Sequence, residues 1–275
     1  MTPTVFLAAF VFIAAALSAA MASAWVVQQR TGNSGWVDAV WTFGLGGIGI
    51  AAAAAPLNSD AITARQALVA GLVAIWALRL GAHIARRTQG ISDDPRYAAL
   101  IRSWGANARQ EMFWLLQKQA LVSLPLALSI LLAAHNPAPG LGVKDLLAAL
   151  VLAVAIGGEA LSDEQLRRFR GDPGNRGRVC DTGLWRWSRH PNYFFEWLGW
   201  LAYPLLAIDL TDAYPWGWLA LSGPLCMYWL LAHVSGIPPL EEHMLRSRGE
   251  AYRAYQHRTS AFLPWPPAAT MGGAK

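Results

Sequence analysis

The 275 residues carry a net charge of +5, yet only 14% are charged and 55% are hydrophobic, with 14 tryptophans among them. A soluble domain holds about 25% charged residues, so a water-soluble enzyme or binding module is excluded and an integral membrane protein is expected. The basic excess is the kind that membrane orientation produces, which excludes nucleic acid as a partner, and Cys180 and Cys226 have neither a metal-binding spacing nor a shared environment for a disulfide.

The first apolar run, Val5 to Val27, has no basic start and exceeds the length of a signal-peptide core, so it reads as a retained helix. The second, Val37 to Leu57, opens on Asp38 and contains Gly44-Leu45-Gly46-Gly47-Ile48-Gly49. That segment satisfies G-x-G-x-x-G, but the pattern binds dinucleotides only between a strand and a helix. Inside a membrane run its small residues read as a helix-packing face. The third run, Ala67 to Ile84, holds Arg79 and His83 one turn apart on one face. Asp38, Arg79 and His83 are polar groups in apolar surroundings and are candidates for a substrate end; the plain alternative is an Arg79–Asp38 ion pair.

Met112 to Ala134 and Val143 to Gly158 are the fourth and fifth runs, the fifth being short enough to need flanking residues. Turn formers join spans at Pro56 to Asp60 and at His135 to Gly140. From Ser162 to Asn192 the character changes. Arg167, Arg168, Arg170, Arg176, Arg178, Arg186 and Arg189 exceed what orienting one loop requires. Guanidinium groups grip phosphate bidentately, and Gly171, Gly174, Gly177 and Gly183 let a chain wrap closely around an extended ligand. A phosphorylated cofactor is favoured, with anionic lipid headgroups as the alternative. Glu159, Ser162 and Asp163 are expected to close the fifth span. Ser162 reads as a cap of the next turn, and Asp163 as a partner of a ribose hydroxyl or of Arg167.

Arg189-His190-Pro191-Asn192-Tyr193 then leads into the sixth run, Tyr193 to Leu210. Pro191 suits a first helical turn, after which Asn192 and Glu196 share a face at i,i+4. A carboxylate there needs a partner or a task, because an uncompensated charge inside a membrane helix costs roughly 3 kcal/mol. His190 is a candidate ligand group or a structural hydrogen bonder, and Tyr193 a site phenol or an interfacial aromatic. The seventh run is Tyr214 to Val234. Beyond it Glu241, Glu242, His243, Tyr252 and Tyr255 either close on adenine and ribose or form an amphipathic surface helix. Residues 264–275 have no packing period and are expected to be an irregular tail, leaving 1–263 as one integral domain.

Seven spans with the first residues outside put nearly all arginines on one side. Arg30, Arg86, Arg87, Arg96, Arg102, Arg109, the run from Arg167 to Arg189, Arg246, Arg248, Arg253, Arg258 and Lys275 fall inside, against Arg65 and Lys144 outside beside Asp60, Asp209 and Asp212. The expectation is therefore an all-α seven-helix bundle in a bacterial inner membrane. Its N-terminus is periplasmic and its C-terminus cytoplasmic, and loops and short helices from the inner segments 85–111, 159–192 and 238 onward form a cytosolic cap.

Leu184 through Tyr193 with Glu196, the upstream Glu159-Ala160-Leu161-Ser162-Asp163, and Gly236-Ile237-Pro238 through Glu241, Glu242 and Arg248-Gly249-Glu250-Ala251-Tyr252 resemble the bacterial DUF1295 proteins, which are similar to the C-terminal domain of steroid 5-alpha-reductases. The resemblance runs from about Asp38 to Pro264. It implies a helical bundle with NADPH in its cytosolic half and a lipid-like enone entering from the bilayer. By position Asp163, Arg167, Arg170 and Arg178 match residues around the dinucleotide, Asn192 and Glu196 match the asparagine and glutamate of the next helix, and Glu242 to Tyr255 resembles the closing segment. Arg189 and His190 are included in the expected cofactor set with Tyr252 and Tyr255. The Gln-Glu pair and the Tyr that polarise the substrate carbonyl in the animal enzymes have no counterpart where expected; Gln110-Glu111 comes late and Trp76 falls near the Tyr position.

The expected reaction moves hydride from NADPH to the β-carbon of a double bond conjugated to a carbonyl, with donors stabilising the enolate oxygen and a proton added at the α-carbon. Asp38, Tyr193 and His83 are the candidate donors, Asp38 only if protonated, and Glu196 a proton source if neutral. Small membrane methyltransferases that use S-adenosylmethionine share Arg-His-Pro and a following Glu, and a non-enzymatic lipid- or haem-related membrane component is the third reading. The expected partners are a lipophilic small molecule and membrane lipids; the sequence leaves substrate identity and oligomeric state open, a monomer included.

Overall fold

The computed structural model describes residues 2–57, 61–90, 92–211 and 213–268, and among these the regular secondary structure is helical apart from an isolated parallel bridge between Ser188 and Ser260. Asn58 to Asp60, Asp212 and the end of the tail, with Lys275, lie outside the described residues. The helices are α1 (Pro3–Thr31), α2 (Gly35–Ala54), α3 (Ala64–Gln89), α4 (Pro95–Trp104), α5 (Ala108–Val122), α6 (Leu124–Ala134), α7 (Val143–Gly171), α8 (Pro191–Trp200), α9 (Ala202–Ala207), α10 (Ser222–Trp229), α11 (Ile237–Arg248) and α12 (Glu250–Arg258). Their ends follow local chemistry. The Thr2 hydroxyl accepts from Val5 N at 3.3 Å to start α1, Gly32 at φ 68° ends it, and Thr63 with Gln66 forms a reciprocal capping box on α3.

Six helical stretches are long and apolar enough to cross a membrane: Pro3–Thr31, Gly35–Ala54, Ala64–Gln89, Arg96–Ala134, Val143–Gly171 and Pro215–Arg248. The protein is a multi-pass membrane protein. The run expected as the sixth span is instead built from α8 and α9, of 10 and 6 residues, which meet at Leu201. Pro204 is the cause, since it offers no N–H to the carbonyl of Trp200 four residues earlier and its ring crowds that carbonyl. Pro125 has the same relation to Leu121, and α5 gives way to α6 at Ser123, whose hydroxyl turns back to Gln119 O at 2.7 Å.

The chain divides into two compact units, Met1–Ala149 with Leu201–Cys226, and Leu150–Trp200 with Met227–Lys275. In the first, the glycine-rich segment of α2 is a packing face. A Cβ on Gly46 would run into the Ala77 side chain of α3, one on Gly49 would lie 2.9 Å from Ile130 Cδ1 of α6, and one on Gly44 would lie 3.1 Å from Ala20 Cβ of α1. The same unit closes its turn-rich loop with Arg65. The guanidinium donates to both carboxylate oxygens of Asp145, at 2.8 and 3.1 Å, and to the carbonyls of Asn136, Ala138 and Gly140 at 3.1, 2.5 and 2.8 Å. Both side chains are below 10% exposed.

In the second unit α7 does not stop at Gly158 but runs to Gly171. Ser162 is therefore interior to a helix and donates to Gly158 O at 2.7 Å rather than capping a turn. The segment after α7 folds back on it. Trp185 Nε1 donates to Ser162 O at 2.9 Å, and Leu184 N to Gln165 Oε1 at 2.9 Å. Gly183, at φ 59°, permits this approach, because a Cβ there would sit 2.5 Å from Gln165 Oε1. Phe194, Trp197, Tyr228 and Phe262 form an aromatic cluster with ring centroids 5.2 to 6.2 Å apart. From Pro264 to Ala268 the chain has no regular structure, but Trp265 N is held by Trp187 O and Ala268 N by Arg258 O.

Candidate functional site

The polar centre of the second unit is Glu241, on the inner face of α11. Its Oε1 accepts from Arg189 Nε at 2.7 Å, from His190 Nε2 at 3.1 Å and from the Tyr252 hydroxyl at 3.2 Å, while Oε2 accepts from Gln256 Nε2 at 2.8 Å. Arg189 also donates to Gln256 O and Thr259 O, at 3.1 and 2.5 Å. Ser188 holds the adjoining turn, accepting from His190 N at 3.1 Å and donating to Phe262 O at 2.8 Å. One carboxylate thus ties the start of α8 to α11 and α12.

This geometry defines the histidine. Facing a carboxylate, Nε2 carries the ring proton, so Nδ1 is left as an acceptor. His190 Nδ1 is buried with no hydrogen-bond partner among the described residues, and the ring stacks on Tyr193 with centroids 5.5 Å apart. Burial pushes the imidazole below its ordinary 6.5, only partly opposed by the Glu241 hydrogen bond. A depressed histidine stabilises the fold above its unfolded value and loses that contribution as pH falls through the folded one. Thermal unfolding should therefore show stability dropping below about pH 6.5, with a shallower drop in His190→Gln, which keeps a donor for Glu241; parallel curves would show that His190 is not buried neutral. Burial also raises the Tyr252 and Tyr255 phenols well above the usual tyrosine value, so both act as donors, Tyr255 to the carbonyls of Trp185 and Ser188.

The other expected cofactor residues fall into three groups. Asp163 on α7 accepts from Asn192 Nδ2 at 3.4 Å, a partner the sequence did not suggest for it. Arg167 and Arg168 both pair with Glu164, at 2.6 and 2.5 Å, rather than with Asp163. Arg170 and Arg178 are exposed, with Arg176 between them. Glu242 is exposed and pairs with Arg246 one turn along α11, so the interior carboxylate of this segment is its neighbour Glu241. Glu196 is buried and accepts from Trp200 Nε1 at 2.9 Å, and Arg186 is exposed.

In the first unit Asp38 accepts from Arg96 at 2.5 Å and from the Tyr97 hydroxyl at 3.1 Å, with Asp94 also on Arg96 at 2.9 Å. Its ion-pair partner is thus Arg96, not Arg79. Asp38 is used as an acceptor by two donors, one of them the Tyr97 hydroxyl, so it stands here as a carboxylate acceptor rather than as a donor. Arg79 and His83 are half-buried on α3, one turn apart.

Arg96, Tyr97 and Gln256 escaped the sequence reading as site residues, and Glu241 was named beside Glu242 without being preferred to it. Glu241 had a signal. Ile237, Leu240, Glu241, Met244, Leu245 and Arg248 recur at helical spacing along one face of α11, which puts Glu241 inside and Glu242 outside. Arg96 and Tyr97 meet Asp38 across 58 and 59 positions, for which no local pattern exists.

The family whose description reads "Protein of unknown function (DUF1295)" matches residues 24–259. An uncharacterized protein of the fission yeast Schizosaccharomyces pombe is 36% identical over 102 residues, which cover 35% of this chain and 27% of the yeast protein. No solved structure matches the chain.

Proposed function

We propose that this chain, which belongs to the DUF1295 family, is an NADPH-dependent membrane reductase that saturates the conjugated double bond of a lipophilic enone. The observation that carries the reading is local to the second unit: the helix that holds Asp163 against Asn192 continues straight into the guanidinium run of Arg167, Arg168 and Arg170, with Arg176 and Arg178 beyond. The resemblance of these segments to the C-terminal domain of steroid 5-alpha-reductases supports the same cofactor. The accompanying topology counts α8 and α9 together as a seventh span, with the basic segments forming a cytosolic cap and the N-terminus periplasmic in a bacterial inner membrane.

The residues fit the dinucleotide chemically. Arg170, Arg176 and Arg178 offer forked donors for phosphate, Asp163 an acceptor for ribose hydroxyls, and the buried Nδ1 of His190 an acceptor for a carboxamide N–H. When bound, NADPH supplies the hydride. The chain's own part is to orient and to stabilise: Glu241 fixes Arg189 and His190, Tyr193 offers a phenol to the developing enolate oxygen, and α8 carries Glu196 one turn beyond Asn192.

Titration calorimetry of the detergent-purified chain with NADPH, NADH and S-adenosylmethionine tests this. NADPH should bind, and Arg170→Ala or Arg178→Ala should each weaken it by about tenfold, the value of one charge-assisted contact. Binding of S-adenosylmethionine without NADPH would establish the methyltransferase reading instead. One observation favours that second reading: Glu164 occupies Arg167 and Arg168, and Glu241 occupies Arg189, which leaves fewer guanidinium groups for phosphate.

A further inference from the structure

The second unit has an amphipathic cleft that the reductase chemistry does not use. After α12 the chain turns back along its own helix end, held where Trp265 N donates to Trp187 O and Ala268 N to Arg258 O, both at 2.9 Å. The space between is a cleft of about 420 Å³ lined by His257, Arg258, Thr259, Ser260, Trp265 and Pro266. Trp265 of this lining is 70% exposed, Trp187, whose carbonyl it holds, is 44% exposed, and Leu263, two residues before Trp265 in the chain, is 55% exposed. Single exposed apolar residues need no explanation, but two indoles joined by a main-chain hydrogen bond beside a cationic floor form a patch of mixed character.

The charge of the cleft is set by its donors. Arg258 is half-buried with one edge on Asp181, His257 is exposed, and exposed Arg186 adjoins Trp187. A helix C-terminus ordinarily repels anions. Here the carbonyls of Gln256 and Thr259 already accept from Arg189, and that of Arg258 from Ala268. Trp187 stands four residues ahead of Pro191, where the apolar helix α8 begins. Indoles settle at the level of lipid headgroups, and arginines near that level attract anionic lipids.

From this juxtaposition we infer that the cleft is a binding site for the headgroup of an anionic membrane phospholipid. His257 and Arg258 serve its phosphate, while Trp187, Leu263 and Trp265 cover the glycerol and the first acyl carbons. An apolar rim alone would take any lipid, and a cationic floor alone any anion; together they select a lipid that is both. The site is independent of the reductase reading.

Native mass spectrometry of the full chain, released from detergent with phosphatidylglycerol, phosphatidylcholine or inorganic phosphate, tests it. One phosphatidylglycerol should be retained in preference to phosphatidylcholine by about fivefold for each cation engaged. Trp265→Ala and Arg258→Gln should each reduce that retention, and Asp181→Asn should raise it by freeing the guanidinium. Trp265→Ala keeps the test sound if Arg258→Gln unfolds, because Trp265 holds the chain through its main-chain N–H. Equal retention of the two lipids, retention unchanged in Trp265→Ala, or displacement by inorganic phosphate at the same concentration would overturn the inference, the last in favour of a soluble anion.

Discussion

Arg65→Met is expected to destabilise the first unit by about 3–5 kcal/mol, the cost of breaking a buried ion pair from one side. The guanidinium meets Asp145 through two hydrogen bonds and three main-chain carbonyls of the loop from Asn136 to Gly140. Removing it strands a carboxylate that is 6% exposed together with those carbonyls. Arg65→Met combined with Asp145→Leu should be less damaging than Arg65→Met alone, since the second change removes the stranded charge. Chemical denaturation in detergent measures both. A single-variant loss below about 1 kcal/mol would mean that the pair behaves as a solvated surface bridge.

Glu241→Ala is expected to cost on the order of 3 kcal/mol in the second unit and Glu242→Ala about 0.5 kcal/mol or less, although the two residues are adjacent. Glu241 collects Arg189, His190, Tyr252 and Gln256, and its removal leaves a guanidinium that is 10% exposed without its carboxylate. Glu242 touches Arg246 at a site where both side chains are more than 60% exposed. Hydrogen exchange at α8, α11 and α12 is the sharpest measurement, because Glu241→Ala should raise exchange in all three while Glu242→Ala leaves them protected. Equal responses to the two substitutions would remove Glu241 from the centre of the unit. Under the proposed function the same variant should lower NADPH affinity, since Arg189 and His190 lose their orientation.

Much of the architecture could be read from composition and period. Backbone groups inside a bilayer have to be satisfied within their own segment, so long apolar runs become helices whatever their neighbours do, and the runs at Val5, Val37, Ala67, Met112 and Val143 all lie in helices long enough to span. The glycines of α2 were recognisable as a packing face because a nucleotide loop needs a strand before it. Pro204 was equally visible, but its effect on the sixth run went unread, and α8 and α9 are the result.

Local chemistry, set by residues within a turn or two of one another, was determined by the sequence alone: the membrane character, the helical faces, even the inward register of Glu241. Which charges meet was decided only by tertiary structure. Asp38 takes Arg96 and Tyr97 rather than Arg79, Arg65 takes Asp145 across 80 positions, and Arg189 takes Glu241 across 52. Ion pairs are chosen by distance in space and by the burial of both partners, and neither quantity exists until the helices have packed.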